Sequence, residues 1–201
     1  QVSGGQIFLD DEPLHEMDEE QRAQLRGAKE GFIFQSFMLV QSLTAIENVM
    51  LPAEIAGFDD AREQAKSILE QVGLGHRANH YPNQLSGGEQ QRVAIARAMV
   101  LQPKILVADE PFAALDPSVR SQTVNLILKL QKELGLSFIF ISHNLGIVRH
   151  IADRIIVMDG GQIVETGKTE TIFRWPQHEM TKKLILAYQS LVPQQTLATS
   201  E

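Results

Sequence analysis

The sequence predicts an α/β fold built on a parallel sheet, and three observations carry that reading. Lys104-Ile105-Leu106-Val107-Ala108 and Ser137-Phe138-Ile139-Phe140-Ile141 are apolar runs that turn polar only past their C-terminal ends, in Asp109-Glu110 and Ser142-His143. Such runs suit strands covered on both faces. A stretch of helical length, from about Ser118 to Leu134, separates them and stops near Gly135. Strand, helix, strand in that order is a right-handed parallel crossover. A third apolar run, Gly31-Phe32-Ile33-Phe34, ends at Gln35 and reads as another buried strand.

The remaining elements follow in chain order. Gln6 to Asp10 is a short strand leaving a Gly-Gly turn, and Glu19 to Arg26 is polar and helix-favouring. From about Ala45 to Val72 the chain is largely helical, with interruptions near Pro52 and Gly57 and an apolar spacing of Ala65, Ile68, Leu69 and Val72. Pro82 to Gly88 reads as a loop, followed by a helix from about Glu89 to Leu101. Later come a helix carrying Leu145, Val148 and Ile151, then a hairpin over Asp159-Gly160-Gly161. Two helical pieces finish the chain, and a frayed tail is expected from Pro193. One domain of ordinary size is expected from 201 residues. Its sheet core takes about 1–35 and 102–167, a helical subdomain 36–101, and a helical tail 168–201.

Composition narrows the function. Hydrophobic residues make up 43% and charged residues 21%, as in soluble globular proteins. The net charge of −7 argues against a nucleic-acid partner, since phosphate binding needs a surplus of Lys and Arg. With no cysteine, disulfides and thiolate metal sites are excluded. The sequence starts at Gln1 without a methionine, which leads us to expect that it begins inside a longer chain.

Two places carry chemistry. In an open parallel sheet, ligands bind at the C-terminal ends of the strands, where Asp109-Glu110 and His143 stand. Asp109 suits a divalent metal, because hard cations prefer oxygen ligands. Glu110 suits a base that accepts a proton from an attacking water, and His143 a hydrogen-bonding partner of a phosphate or of that water. The second place is Ser86-Gly87-Gly88 before a helix. There the unpaired N–H groups and the helix dipole favour an anion. An ordinary serine cap is the competing reading for those three residues alone.

With their neighbours these residues resemble one family. Leu85-Ser86-Gly87-Gly88-Glu89-Gln90-Gln91-Arg92 is similar to the signature motif of ABC ATPases. Ile105 to Glu110 resembles their Walker B strand with its catalytic glutamate, and Ala114-Leu115-Asp116 their D-loop. Gln35 after Phe34 resembles the Q-loop, and Ser142-His143 the H-loop. The five motifs stand in the family's order. The resemblance implies a P-loop NTPase-like sheet core with a helical signature subdomain, and ATP and Mg2+ as ligands. It implies a head-to-tail dimer with a second ATPase subunit and transmembrane permease subunits at the cytoplasmic face of the membrane. In that arrangement Ser86, Gly87, Gly88 and Glu89 would meet the γ-phosphate held by the opposite subunit. Gln35 would touch the metal or the water, and Asp116 would cross the interface.

Departures from the family pattern matter too. No Gly-x-x-x-x-Gly-Lys-Ser/Thr, the Walker A loop, occurs in the sequence, so the fold is expected to be incomplete at its N-terminus and the chain inactive alone. Its missing strand is expected beside the Walker B strand. Gly167-Lys168-Thr169 reads as a turn. Asn144 and Phe112 replace residues more common in the family. The region from Phe34 to Val49 resembles lipoprotein-release and export ATPases, whereas the chain from about Ala113 resembles oligopeptide and dipeptide importers. The direction of transport stays open on these residues. A translation factor would carry two such domains, and a DNA-maintenance ATPase would place a long coiled coil where about fifty residues separate Gln35 from Ser86.

Overall fold

The computed structural model describes residues 5–9 and 11–191 and divides the chain into two compact units, Gln1–Ile141 and Ser142–Glu201. The expected frayed tail from Pro193, and Asp10 at the end of the first expected strand, lie outside the described residues.

The first unit opens with an antiparallel pair, β1 (Phe8–Leu9) and β2 (Glu12–Pro13), followed by α1 (Glu19–Lys29). Its centre is a parallel sheet in the order β3 (Glu30–Ile33), β4 (Ile105–Asp109), β5 (Ser137–Ile141). The register pairs Ile33 with Ala108, and Asp109 with Ile141. Leu106 and Ala108 are fully buried, as an apolar central strand requires. The crossover helix α5 (Pro117–Leu134) begins with proline at its first turn and ends on left-handed Gly135, the residue that closes a helix without a Cβ penalty.

Three helices fill the span between β3 and β4. They are α2 (Ala45–Ile55), α3 (Ala61–Gln71) and α4 (Gly87–Met99). They close on one another through buried apolar faces: Ala45, Ile46 and Val49 of α2; Ala65, Ile68 and Leu69 of α3; Val93, Ile95 and Ala96 of α4. Among the described residues no helix is long and apolar enough to cross a membrane.

Three expectations need correction. Helix α2 runs through Pro52 and does not break there. The proline sits in the last turn, where it removes one backbone bond, and the buried apolar face offsets that loss. Helix α4 begins at Gly87, because Ser86 caps it and Pro82–Gln84 already forms a 3-10 turn. Both signature glycines therefore stand inside the helix and not in a loop. The third concerns β4, expected to have an open flank. Both its edges are paired, with β3 and with β5. Among the described residues the sheet's edges are β3 and β5, and on one face of β5 Ile139 and Ile141 are 52% and 51% exposed.

The second unit contains α6 (Leu145–Ile151), the hairpin β6 (Arg154–Asp159) and β7 (Gln162–Lys168), α7 (Thr169–Arg174) and α8 (Glu179–Leu191). Ile155, Val157, Ile172, Phe173 and Ile185 form its own small core. Asn144, the departure after His143, caps α6 by accepting the Ile147 N–H at 3.2 Å.

Candidate functional site

The tips of β3 and β4 leave the same edge of the sheet. Since Ile33 pairs with Ala108, Gln35 and Glu110 each stand two residues beyond a paired position. Gln35 and Asp109 are exposed there, and Glu110 is half-buried. Glu110 adopts a left-handed backbone with φ of 46° while its N–H donates to the Ile141 carbonyl at 2.9 Å. A non-glycine residue in that region is strained by about 1–3 kcal/mol. The extra ladder bond to β5 holds the turn that lifts the glutamate off the strand. Behind it, Phe112 is buried and stacks on Phe140, whose ring stacks in turn on Phe138. The large residue at position 112 is thus explained by packing on β5. His143 is exposed and belongs to the second unit, with which it is described.

The start of α4 is built by reciprocal capping. The Glu89 N–H donates to Ser86 Oγ at 3.3 Å, and the Ser86 N–H donates to Glu89 Oε2 at 2.8 Å. The other carboxylate oxygen, Oε1, receives Arg77 Nε at 3.1 Å. The Ser86 N–H holds the Glu89 carboxyl below its ordinary pKa, against the upward push of partial burial, with the Ser86 hydroxyl and Arg77 adding to the lowering. Both Glu89 oxygens are therefore engaged within the chain. Ser86 Oγ accepts from the Glu89 N–H, and its hydroxyl hydrogen, shared with the Glu89 carboxylate, is donated outward only when it turns away from that carboxylate.

The two signature glycines differ. Gly87 is exposed, and a Cβ there would meet only the Phe37 ring, at 3.8 Å. Gly88 is buried, and a Cβ would run into the Val119 side chain of α5. Gly88 thus lets two helices approach, whereas Gly87 leaves backbone open at a helix N-terminus. Asp116 is exposed and caps α5 without a side-chain hydrogen bond, while Arg120 Nη2 donates to the Leu115 carbonyl just before it at 3.0 Å.

These groups fit a phosphate and a hard cation. Ser86 and Gly87 present donors at a helix start. Asp109 offers one exposed carboxylate, the kind of share Mg2+ takes from protein when phosphate and water complete its shell. Among the described residues no group of three or more His, Cys, Asp or Glu could hold a metal by itself. Gly167-Lys168-Thr169 is engaged elsewhere. It is the junction of β7 and α7, with the Thr169 N–H donating to the Asp153 carbonyl at 3.0 Å and its hydroxyl to Ala152.

Sequence reasoning missed Asn48, Arg77 and Arg97. Asn48 is fully buried and ties down the loop before α2: its Oδ1 accepts the Val40 N–H at 2.7 Å, and Nδ2 reaches the carbonyls of Val40, Leu43 and Thr44 at 3.0 Å each. Arg97 donates to the carbonyls of Phe37 and Met38. Its isolation within the apolar run from Ala94 to Val100 was the available signal.

Comparison with known proteins gives the family and the fold. The family model described as ABC transporter matches residues 1–113. The methionine import ATP-binding protein of Rhodopseudomonas palustris (strain BisA53) is 39% identical over 185 residues, 91% of this chain and 50% of that protein. The corresponding protein 2 of Pseudomonas syringae pv. tomato is 42% identical over 187 residues, 91% of this chain and 55% of that protein. The chain therefore spans about half the length of the curated relatives it matches. Among solved structures, the ATP-binding cassette MJ0796, a dimer in a post-hydrolysis state with ADP and Pi, superposes with a TM-score of 0.72. It is 36% identical and covers 83% of this chain and 74% of its own.

Proposed function

The chain belongs to the ABC transporter family, and from that premise we propose that it is the ATP-binding part of an importer that couples ATP hydrolysis to transport. The observation that carries the reading is the pairing of an open, donor-rich helix start at Ser86-Gly87 with a lifted glutamate, Glu110, at the tip of β4. Ser86 and Gly87, with the Gly88 N–H behind them, face a γ-phosphate bound by a second ATPase subunit, while Glu89, whose N–H and carboxylate close the cap on Ser86, shapes that helix start. Asp116 crosses that interface, and its unengaged cap position suits the role. Asp109 would hold the metal with Gln35 and Glu110 would take the proton from the attacking water, while the part expected of His143, a hydrogen bond to the phosphate, rests on the motif resemblance alone. Mg2+, when bound, supplies the charge neutralisation that phosphoryl transfer needs.

The same reading places the protein at the cytoplasmic face of a membrane, docked on permease subunits. Met38 and Val40, 60% and 39% exposed beside Gln35, are apolar enough to receive a permease helix. Import of an amino acid is favoured by the relatives, which are methionine import ATP-binding proteins matched over 185 and 187 residues. The divided likeness to export and peptide-import ATPases is the narrower alternative. Lacking a Walker A loop, the 201-residue chain has no amide and lysine cradle for the β- and γ-phosphates and would hydrolyse ATP negligibly by itself.

The test is MgATP turnover by the full-length ATPase reconstituted with its permease. Glu110→Gln should lower turnover by about 10²-fold or more while ATP still binds. Equal turnover in the two proteins would remove Glu110 from its role, and absence of ATP binding in the full-length protein would remove the function.

A further inference from the structure

We propose that Arg97 is a positioning residue that locks the loop after Gln35 to the helix that presents Ser86 and Gly87, so that the two move as one body. The guanidinium makes two bonds across a long sequence separation: Nη1 donates to the Met38 carbonyl at 2.6 Å and Nη2 to the Phe37 carbonyl at 3.1 Å. Burial pushes its pKa below the ordinary arginine value, yet an arginine stays charged at any physiological pH. Those two bonds act on a strained segment. Met38 has φ of 48°, a left-handed conformation disfavoured for a side chain of that size. The Phe37 ring reaches forward to the space over Gly87 at the helix start, where a Cβ would meet it at 3.8 Å.

Asn48 grips the same loop at Val40, through both its N–H and its carbonyl, and anchors it to α2. One short segment therefore carries Gln35 at the sheet edge, sets the Phe37 ring over Gly87, is clamped to α4 by Arg97, and exposes Met38 outward. A push on Met38 is transmitted through two charge-assisted bonds to α4 and through an aromatic ring to its first residue. A lysine cannot reproduce this, because a single ammonium lacks the planar fork that spans two carbonyls. The coupling half of the inference rests on the transporter reading above; the clamp itself does not.

The test has two arms. Backbone hydrogen exchange of the chain compares the natural protein with Arg97→Lys and Arg97→Met. The amides of 36–40 should exchange about tenfold faster in both variants, with β4 and α5 unchanged. If Arg97→Met does not fold, Arg97→Lys carries this arm. In the full-length ATPase with its permease, Arg97→Lys should leave KM for ATP and basal turnover unchanged and lose most of the stimulation by the permease. Unchanged exchange in 36–40 overturns the clamp, whatever turnover does. Faster exchange with intact permease stimulation overturns the coupling. Faster exchange in a full-length protein that never hydrolyses ATP, variant or natural, sinks the transporter reading and leaves the clamp standing.

Discussion

Helices α2 and α4 start with the same chemistry and are used differently. Each carries a hydroxyl cap and a glutamate three residues on, Thr44 with Glu47 and Ser86 with Glu89, closed reciprocally in both. At α2 the residues that follow the cap, Ala45 and Ile46, are buried, and the loop before it is sewn down by Asn48. At α4 the cap is followed by an exposed glycine. The buried amides of the two helices contrast as well. Asn48 has every polar atom engaged, whereas Gln91 is fully buried with neither side-chain atom bonded. A capping box therefore says where a helix begins and nothing about ligands. What distinguishes α4 is open backbone beside the cap.

The largest expected effect lies on the α2 side. Asn48→Leu would strand the Val40 N–H and take the side-chain donor from the carbonyls of Val40, Leu43 and Thr44, of which Val40 and Thr44 keep a backbone partner, and should cost roughly 3 kcal/mol in urea unfolding. A change under about 1 kcal/mol would show that the loop is held by other means. On the α4 side Gly88→Ala forces a methyl into Val119 and should cost about 2 kcal/mol, whereas Gly87→Ala should be close to neutral in stability. If the two alanines cost the same, the division of the glycine pair fails.

Gln91→Met should move the other way, raising stability by about 1 kcal/mol, because an unbonded buried amide is replaced by an apolar chain of similar shape. A loss in thermal melting would mean that the amide finds a partner in solution. Thr44→Ala and Ser86→Ala should each cost about 1 kcal/mol of cap, but only the second should also slow turnover of the full-length ATPase. Equal turnover would make Ser86 a cap and nothing more.

Acid provides the smallest effect. The Glu89 carboxyl is held low in the folded chain, first by the Ser86 N–H, so it remains ionised where an unfolded glutamate is protonated. Its contribution is complete above the ordinary value of about 4.3 and is lost as pH falls from there through the lowered one. Urea midpoints measured down to acid pH should therefore fall less in Glu89→Gln than in the natural chain. Identical slopes would show that the carboxylate contributes nothing to the fold.

Much of this was legible along the chain because it depends on local pattern. Continuous apolar runs marked β4 and β5 as strands, but only β4 has the burial expected of a strand covered on both faces; in β5 Ile139 and Ile141 are exposed. The cap residues announced α4 within two positions. The strand tips were readable because the polar residues ending each run stand at the C-terminal edge, where parallel sheets bind ligands. The second role of Gly88 was not readable, because Val119 lies thirty-one positions further along the sequence and meets it only when α5 packs on α4.

The sequence by itself determined the α/β class, the order of the strands and helices along the chain, and the residues offered for chemistry. Each of these follows from periodicity, capping or chain order, which act over a few neighbours. Only the tertiary structure decided that β4 is flanked on both sides, that Glu89 is bound to Arg77, and that Arg97 holds Phe37 and Met38. Those outcomes depend on which surfaces close together in space, and residues sixty positions apart carry no local mark of the partner they will meet.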